Sequence, residues 1–225
     1  MRTISAIVTI VAVAGVLVQY SCDNSTSSNF FEDSTRVLYE GKTYHIVKIG
    51  SQRWLNENLD IGRRMERTRN ASDNRITEKY CYNDDTLNCF VYGGLYQWDE
   101  AMQYSTTEGS KGICPPGWHI PAYRELQALV LAVGSDGNSL KALGEGNGEG
   151  AGTNTSGFSG LLGGYRFSTG EYYNMGQWAT IWLSTEWRLG DSLVPVAAQL
   201  ERDNGEIGSP MSFRLCGCSV RCVKD

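Results

Sequence analysis

Apolar and polar positions alternate through "RVLYEGKTYHIVKIGSQRWL", residues 36–55, with breaks at Glu40-Gly41 and Gly50-Ser51. Runs rich in Val, Ile and Tyr between such turn signals predict a β-meander. Residues 60–78 are polar and carry no period, which predicts a long loop. "YCYNDDTLNC" then reads as a small loop closed through Cys81 and Cys89, with Asn83, Asp84 and Asp85 supplying turn chemistry. Leu95, Trp98, Ala101 and Met102 recur at helical spacing and predict a helix over 95–104. In "CPPGWHIPAYRELQALV" a stiff lead-in from Cys114 gives way to a second helix. Leu126, Leu129, Val130 and Val133 mark one face of it, and Gly134 stands at its end. A short third helix is expected from Ser139 to Leu143.

Beyond Gly144 the pattern changes. "GEGNGEGAGTNTSGFSGLLGGYR" is too dense in glycine for regular structure. "TIWLSTEW" and "SLVPVAAQLERDNGEIG" read as strands, with Asp203-Asn204-Gly205 as a hairpin signal, and "FRLCGCSVRCVKD" as a closing strand. Strands, two helices, a long glycine-rich region and strands again predict an α+β domain without βαβ alternation.

Composition narrows the function classes. The formal net charge of -5 gives no nucleic-acid footprint, and the one basic run, "RRMERTR", is interrupted by Glu66 and reads as a solvated loop. At the N-terminus Arg2 precedes an apolar stretch, Ile4 to Val18, which suits a signal-peptide core better than a membrane span. Ser21-Cys22 after it fits lipoprotein cleavage with lipidation at Cys22, although Gln19 and Tyr20 stand where Leu and a small residue are usual. Ordinary signal cleavage or an uncleaved anchor are the alternatives. "DNSTSSN" reads as a tether, with the folded part beginning near Arg36. Setting Cys22 aside leaves six cysteines, an even number that favours disulfides in an exported protein. Six cysteines allow 15 pairings, so spacing alone leaves the connectivity open.

"GKTYHIVKIGSQRWLNENL", "YCYNDDTLNCFVYGGLYQWDEAM", "CPPGWHIPAYRELQAL", "GFSGLLGGYR", "WLSTE" and "SVRCVKD" resemble, in this order, the Fibrobacter succinogenes major paralogous domain over residues 36–225. That resemblance implies an exported, often lipid-anchored surface domain with no established reaction. "WDEAM", then Cys114, then the helix with Glu125 and Leu126 is also similar to the start of a C-type-lectin-like domain, a fold shared with formylglycine-generating enzymes. This second resemblance implies a Cys114–Cys222 disulfide beside Cys81–Cys89. It would close a loop of about 109 residues, worth about 4–5 kcal/mol. Cys216 and Cys218 stand where relatives usually carry Tyr and Phe. They could bridge each other under strain, stay reduced, or compete with Cys222.

Candidate chemistry is sparse. "CGCSVRC" lacks a CxxC pair, and only His45 and His119 could complete a zinc site, so no metal or cofactor is expected. His119 sits among core-like neighbours, and the carboxylates Asp84, Asp85, Glu186 and Asp191 have no evident catalytic partner. Glu145, Asn147, Glu149, Asn154 and Glu171 offer oxygens for a calcium ion, but the signatures of calcium-dependent sugar-binding lectins are absent. Aromatic residues beside charged ones are more informative: Arg166, Tyr172, Tyr173, Trp178, Glu186 and Trp187 form the candidate ligand-binding set, with Trp182 assigned to the core. The expectation is a lipid-anchored surface protein that recognises polysaccharide or another surface protein, without catalysis, through the loop-rich face from Gly144 to Arg188. Its rivals are a formylglycine-generating type of enzyme and a structural envelope protein.

Overall fold

The computed structural model of the chain describes residues 30–225. The apolar stretch Ile4–Val18, Cys22 and most of the tether lie outside the described residues. Among the described residues no helix is long and apolar enough to cross a membrane.

The meander forms as the alternation requires. Strands β1 (Phe30–Glu32), β2 (Arg36–Tyr39), β3 (Lys42–Ile49) and β4 (Gln52–Leu55) pair in sequence, each antiparallel to the last. Gly41 and Gly50 make two of the turns at φ of +76° and +59°, where a side chain would be strained. The polar stretch that follows is loop apart from a short parallel pair, β5 (Arg63–Arg64) with β6 (Glu78–Lys79).

Helices are shorter than the sequence suggests and fall at different places. Helix α1 (Thr86–Tyr92) starts inside the segment read as a disulfide-closed loop and runs past Cys89. It starts there because the Asp85 side chain accepts from the Leu87 N–H, an N-cap. The helix expected over 95–104 is three things instead: Leu95 bridges to Tyr80, β7 (Tyr96–Gln97) joins a sheet, and α2 (Trp98–Ala101) has four residues. Gln103 and Tyr104 take positive φ directly after α2 and prevent its continuation. After β8 (Trp118–His119), α3 (Tyr123–Ala132) is the one full helix, with Leu126 and Leu129 buried and Gly134 at positive φ beyond its end. The third helix is reduced to a 3-10 turn at Gly137–Ser139.

Strands then dominate: β9 (Gly163–Arg166), β10 (Tyr172–Met175), β11 (Trp178–Leu189), β12 (Ser192–Glu201), β13 (Ile207–Gly208), β14 (Gly217–Cys218) and β15 (Val223–Lys224). The expected single closing strand is split, because β14 and β15 belong to different sheets. One sheet runs β1-β2-β3-β4-β15-β8; the other runs β13-β12-β11-β9-β14-β7, with β10 beside β9. The chain is therefore mostly β, built of several sheets. The expected two-helix, C-type-lectin-like α+β fold is corrected by this count of elements: helical spacing at Leu95–Met102 reflects burial of successive short elements, not one helix.

β15 explains the long disulfide. It lies between β4 and β8, so the last residues complete a sheet begun by the first. Cys114–Cys222, with Cα atoms 5.9 Å apart, fastens that insertion from inside the main core, where Trp98, Trp118 and Trp182 are buried around it. Cys81–Cys89, Cα atoms 5.0 Å apart, ties α1 to the preceding turn. The glycine-rich region is irregular but anchored: buried Lys141 donates from Nζ to the carbonyls of Gly150, Glu201 (2.6 Å) and Asn204 (2.8 Å).

Candidate functional site

The site is laid out by strand parity. Successive side chains of a strand point to opposite faces, so β9 and β10 divide their side chains between two faces. Tyr173 pairs with Tyr165, and Tyr172 pairs with Arg166. The first pair lies with Trp178 of β11 at the edge of the main core, against which Tyr165 packs; the second faces the small core around Tyr80. Tyr165 and Trp178 lie parallel, their planes 10° apart and centroids 6.1 Å apart. Tyr165 also packs on Tyr173 at 6.0 Å, and Phe167 stands edge-on to Tyr173 and to Phe213 at 6.3 and 6.4 Å.

These rings surround an open groove of about 200 Å³. Tyr165, Phe167, Trp178 and Phe213 wall it, Thr180 and Cys216 are its buried residues, and no charged residue lines it. Phe213 is 65% exposed and Tyr173 44% exposed. The segment carrying Phe213 is held over β12 by backbone bonds from Ala197 N to Pro210 O and from Ser212 N to Pro195 O. Thr180 sits two residues from Trp178 and on the same face, 6% exposed, and its Oγ1 has no hydrogen-bond partner among the described residues. A buried hydroxyl left so costs about 1–3 kcal/mol.

The other residues of the candidate set are placed elsewhere. Arg166 is fully buried; its guanidinium lies over the Tyr80 ring and donates to the carbonyls of Arg67 and Leu215. Tyr172 donates to Asp84 at 3.1 Å and packs on Tyr82. Glu186 pairs with Arg214, and Trp187 packs edge-on against Tyr123, away from the groove. Of the six, the structure brings together Tyr173 and Trp178. Phe167, Phe213 and Thr180 join them without having been singled out by sequence; their signal is parity for Phe167 and Thr180, and none local for Phe213.

Both candidate histidines are engaged by carboxylates. His119 Nδ1 meets Asp225 at 2.7 Å and Nε2 meets Glu125 at 2.9 Å. The Glu125 bond, opposed by burial and aided by Asp225, raises the His119 pKa above its ordinary value. Glu125 also accepts from the Ala122 N–H at 2.8 Å, so one carboxylate caps α3 and holds the histidine. His45 is exposed and paired with Glu57 at 2.6 Å. Cys216 and Cys218 are free and buried; burial pushes both thiols up, Cys218 further, which makes them poor nucleophiles. No group of three or more His, Cys, Asp or Glu side chains among the described residues could hold a metal ion. Of the calcium candidates, Glu145 accepts from the Leu162 N–H, Asn154 bonds Ser159, and Glu171 bonds Thr169.

A larger concavity of about 360 Å³ lies between β3 and α1. In its lining Lys42 pairs with Asp60, which also holds Lys79, and Asn58 bonds Tyr92 O and Arg221.

No curated protein and no solved structure matches the chain. The family model described as the Fibrobacter succinogenes major domain matches residues 47–224, from the end of β3 through both disulfides and every strand that builds the groove, and the chain belongs to that family.

Proposed function

We propose that this domain is a non-catalytic recognition module, displayed at the cell surface by a lipid on Cys22, which binds polysaccharide in the groove walled by Tyr165, Phe167, Trp178 and Phe213. The observation that carries the reading is the convergence of these four rings on an open and uncharged groove, with Tyr173 packed against two of them, Tyr165 and Phe167. Partly exposed aromatic rings present flat apolar faces to the C–H faces of sugars at little entropic cost. The absence of catalysis is supported by how the titratable groups are used: His119 has both nitrogens engaged by carboxylates, and the free thiols are buried. No calcium is invoked, because stacking needs none.

The test is retention on insoluble polysaccharides, with calcium and with chelator, for the wild type beside the double variant Tyr173→Ala, Trp178→Ala. Retention by the wild type in both conditions, lost in the variant, is the expected result. Equal retention of both proteins refutes the groove; retention only with calcium points to the glycine-rich region instead. A wild type that ignores every polysaccharide but binds a purified surface protein through Trp178 transfers the groove to a protein ligand.

A further inference from the structure

We infer that the loop over Arg63–Arg69 forms a second site, apart from the aromatic groove, which binds the carboxylate or sulfate groups of an acidic polysaccharide. Only the choice of a polysaccharide as the carrier of the anion rests on the reading above. Arg63, Arg64 and Arg69 line one open concavity of about 330 Å³, together with Glu66 and Glu78. Glu78 is buried and spent on Arg63, at 2.7 Å. That leaves Arg64 and Arg69, both exposed, against Glu66 alone, and neither comes within ion-pair reach of a carboxylate among the described residues. The concavity thus keeps an excess of positive charge in a chain whose net charge is -5. Guanidinium groups offer forked N–H donors that match paired anionic oxygens, and a concave surface concentrates their field.

The arginines stand on a backbone that buried groups hold from below. Fully buried Arg166 donates from Nε to the Arg67 carbonyl at 3.0 Å, and the buried Tyr80 hydroxyl donates to the Arg69 carbonyl at 2.6 Å. Buried Gln97 accepts from the Ala71 N–H at 2.8 Å, and Met65 packs into the small core with Tyr80 and Leu95. Arg64 itself donates to the Asp84 carbonyl at 3.2 Å, which orients its guanidinium. A loop read from sequence as merely solvated is therefore fixed in place, so the ordering cost of binding falls on side chains alone. Arg166 also ties this loop to the groove. Its neighbours Tyr165 and Phe167 wall the groove, while its guanidinium holds Arg67. This adjacency is what assigns the anion to a polysaccharide.

The experiment is calorimetry on the full-length chain in detergent. Oligogalacturonate and dextran sulfate are the acidic probes, methyl-esterified oligogalacturonate and dextran their neutral counterparts, and sodium sulfate the free anion. At least one acidic probe binds about 10-fold or more tightly than its counterpart, and weakens as salt rises. The double variant Arg64→Gln, Arg69→Gln weakens that probe about 10-fold, whereas Glu66→Gln strengthens it about 2- to 5-fold. Opposite signs at neighbouring exposed positions separate a charge effect from a loss of folding, and the melting temperatures stay within about 4 °C of the wild type. An acidic probe that binds the double variant as tightly as the wild type overturns the site, as does a neutral counterpart that binds equally well. Sodium sulfate bound at the arginines while both polymers are ignored overturns the assignment to a polysaccharide. A wild type that binds neither acidic probe overturns the inference even where the groove retains a neutral polysaccharide. Acidic binding that survives Tyr173→Ala with Trp178→Ala but falls with the arginines upholds this site where the groove fails its own test.

Discussion

Removing Cys114–Cys222 by the double substitution to alanine should cost far more stability than removing Cys81–Cys89. The two bonds span 108 and 8 positions, closing loops of 109 and 9 residues. Loop-closure entropy, with its logarithmic dependence on length, then assigns about 4.8 kcal/mol to the first and about 2.6 kcal/mol to the second. The structure adds to the difference, because the long bond secures β15 between β4 and β8, whereas the short one secures a single seven-residue helix with a largely exposed face. Both members of a pair must be replaced, since a lone Cys222 thiol could be captured by Cys216 or Cys218. Urea unfolding followed by tryptophan fluorescence reads the effect, and in a thermal scan the long-loop variant should melt about 10–19 °C lower. A short-loop variant that loses as much stability as the long-loop one, or more, would refute the reasoning.

The His119 clamp predicts a specific pH dependence. Its folded pKa is raised, so its contribution is complete below the unfolded value near 6.5 and disappears as pH climbs through the folded value; His119→Gln should remove that decline from stability measured between neutral and alkaline pH. An unchanged slope in the variant would place the titration elsewhere. Thiol counting without reductant should find almost no reactivity in the native protein and two thiols, Cys216 and Cys218, after unfolding. A third would mean that Cys22 is not acylated, and none would mean that Cys216 and Cys218 form a bond in solution.

The parts legible in the sequence are those whose pattern is local. Residues 36–55 alternate and carry glycine where φ turns positive, so the meander follows directly. The Leu126–Val133 stripe and Gly134 fix α3 in the same way. α1 escapes because its cap, Asp85, doubles as a turn residue, and the seven residues after it are too few to show a period. Leu95 to Met102 mislead because a bridge residue, two residues of α2 and the one just after it are all buried, which imitates a longer helical face. The family motifs, and the disulfide the second resemblance implied, carried correct long-range information even though the two-helix fold did not form. In the site, a local aromatic cluster drew attention to Tyr173 and Trp178. Parity could have separated Tyr165 and Tyr173 from Arg166 and Tyr172, since the antiparallel pairing of β9 and β10 sorts them by face. Phe213 arrives from a loop held in place by bonds to β12, which no local pattern in the sequence displays.

The central claim is that ligand contacts the chain at the ring-walled groove, and the six tryptophan indole N–H signals report on it directly. Trp54, Trp98, Trp118 and Trp182 are buried, Trp187 packs on Tyr123, and Trp178 alone of the six stands in the groove wall. Titrating nitrogen-15-labelled protein with the polysaccharide fragment it retains best should shift the Trp178 indole signal first and furthest, leaving the four buried signals in place. A titration that moves Trp187 or no indole at all, while binding is measurable by other means, would contradict the account.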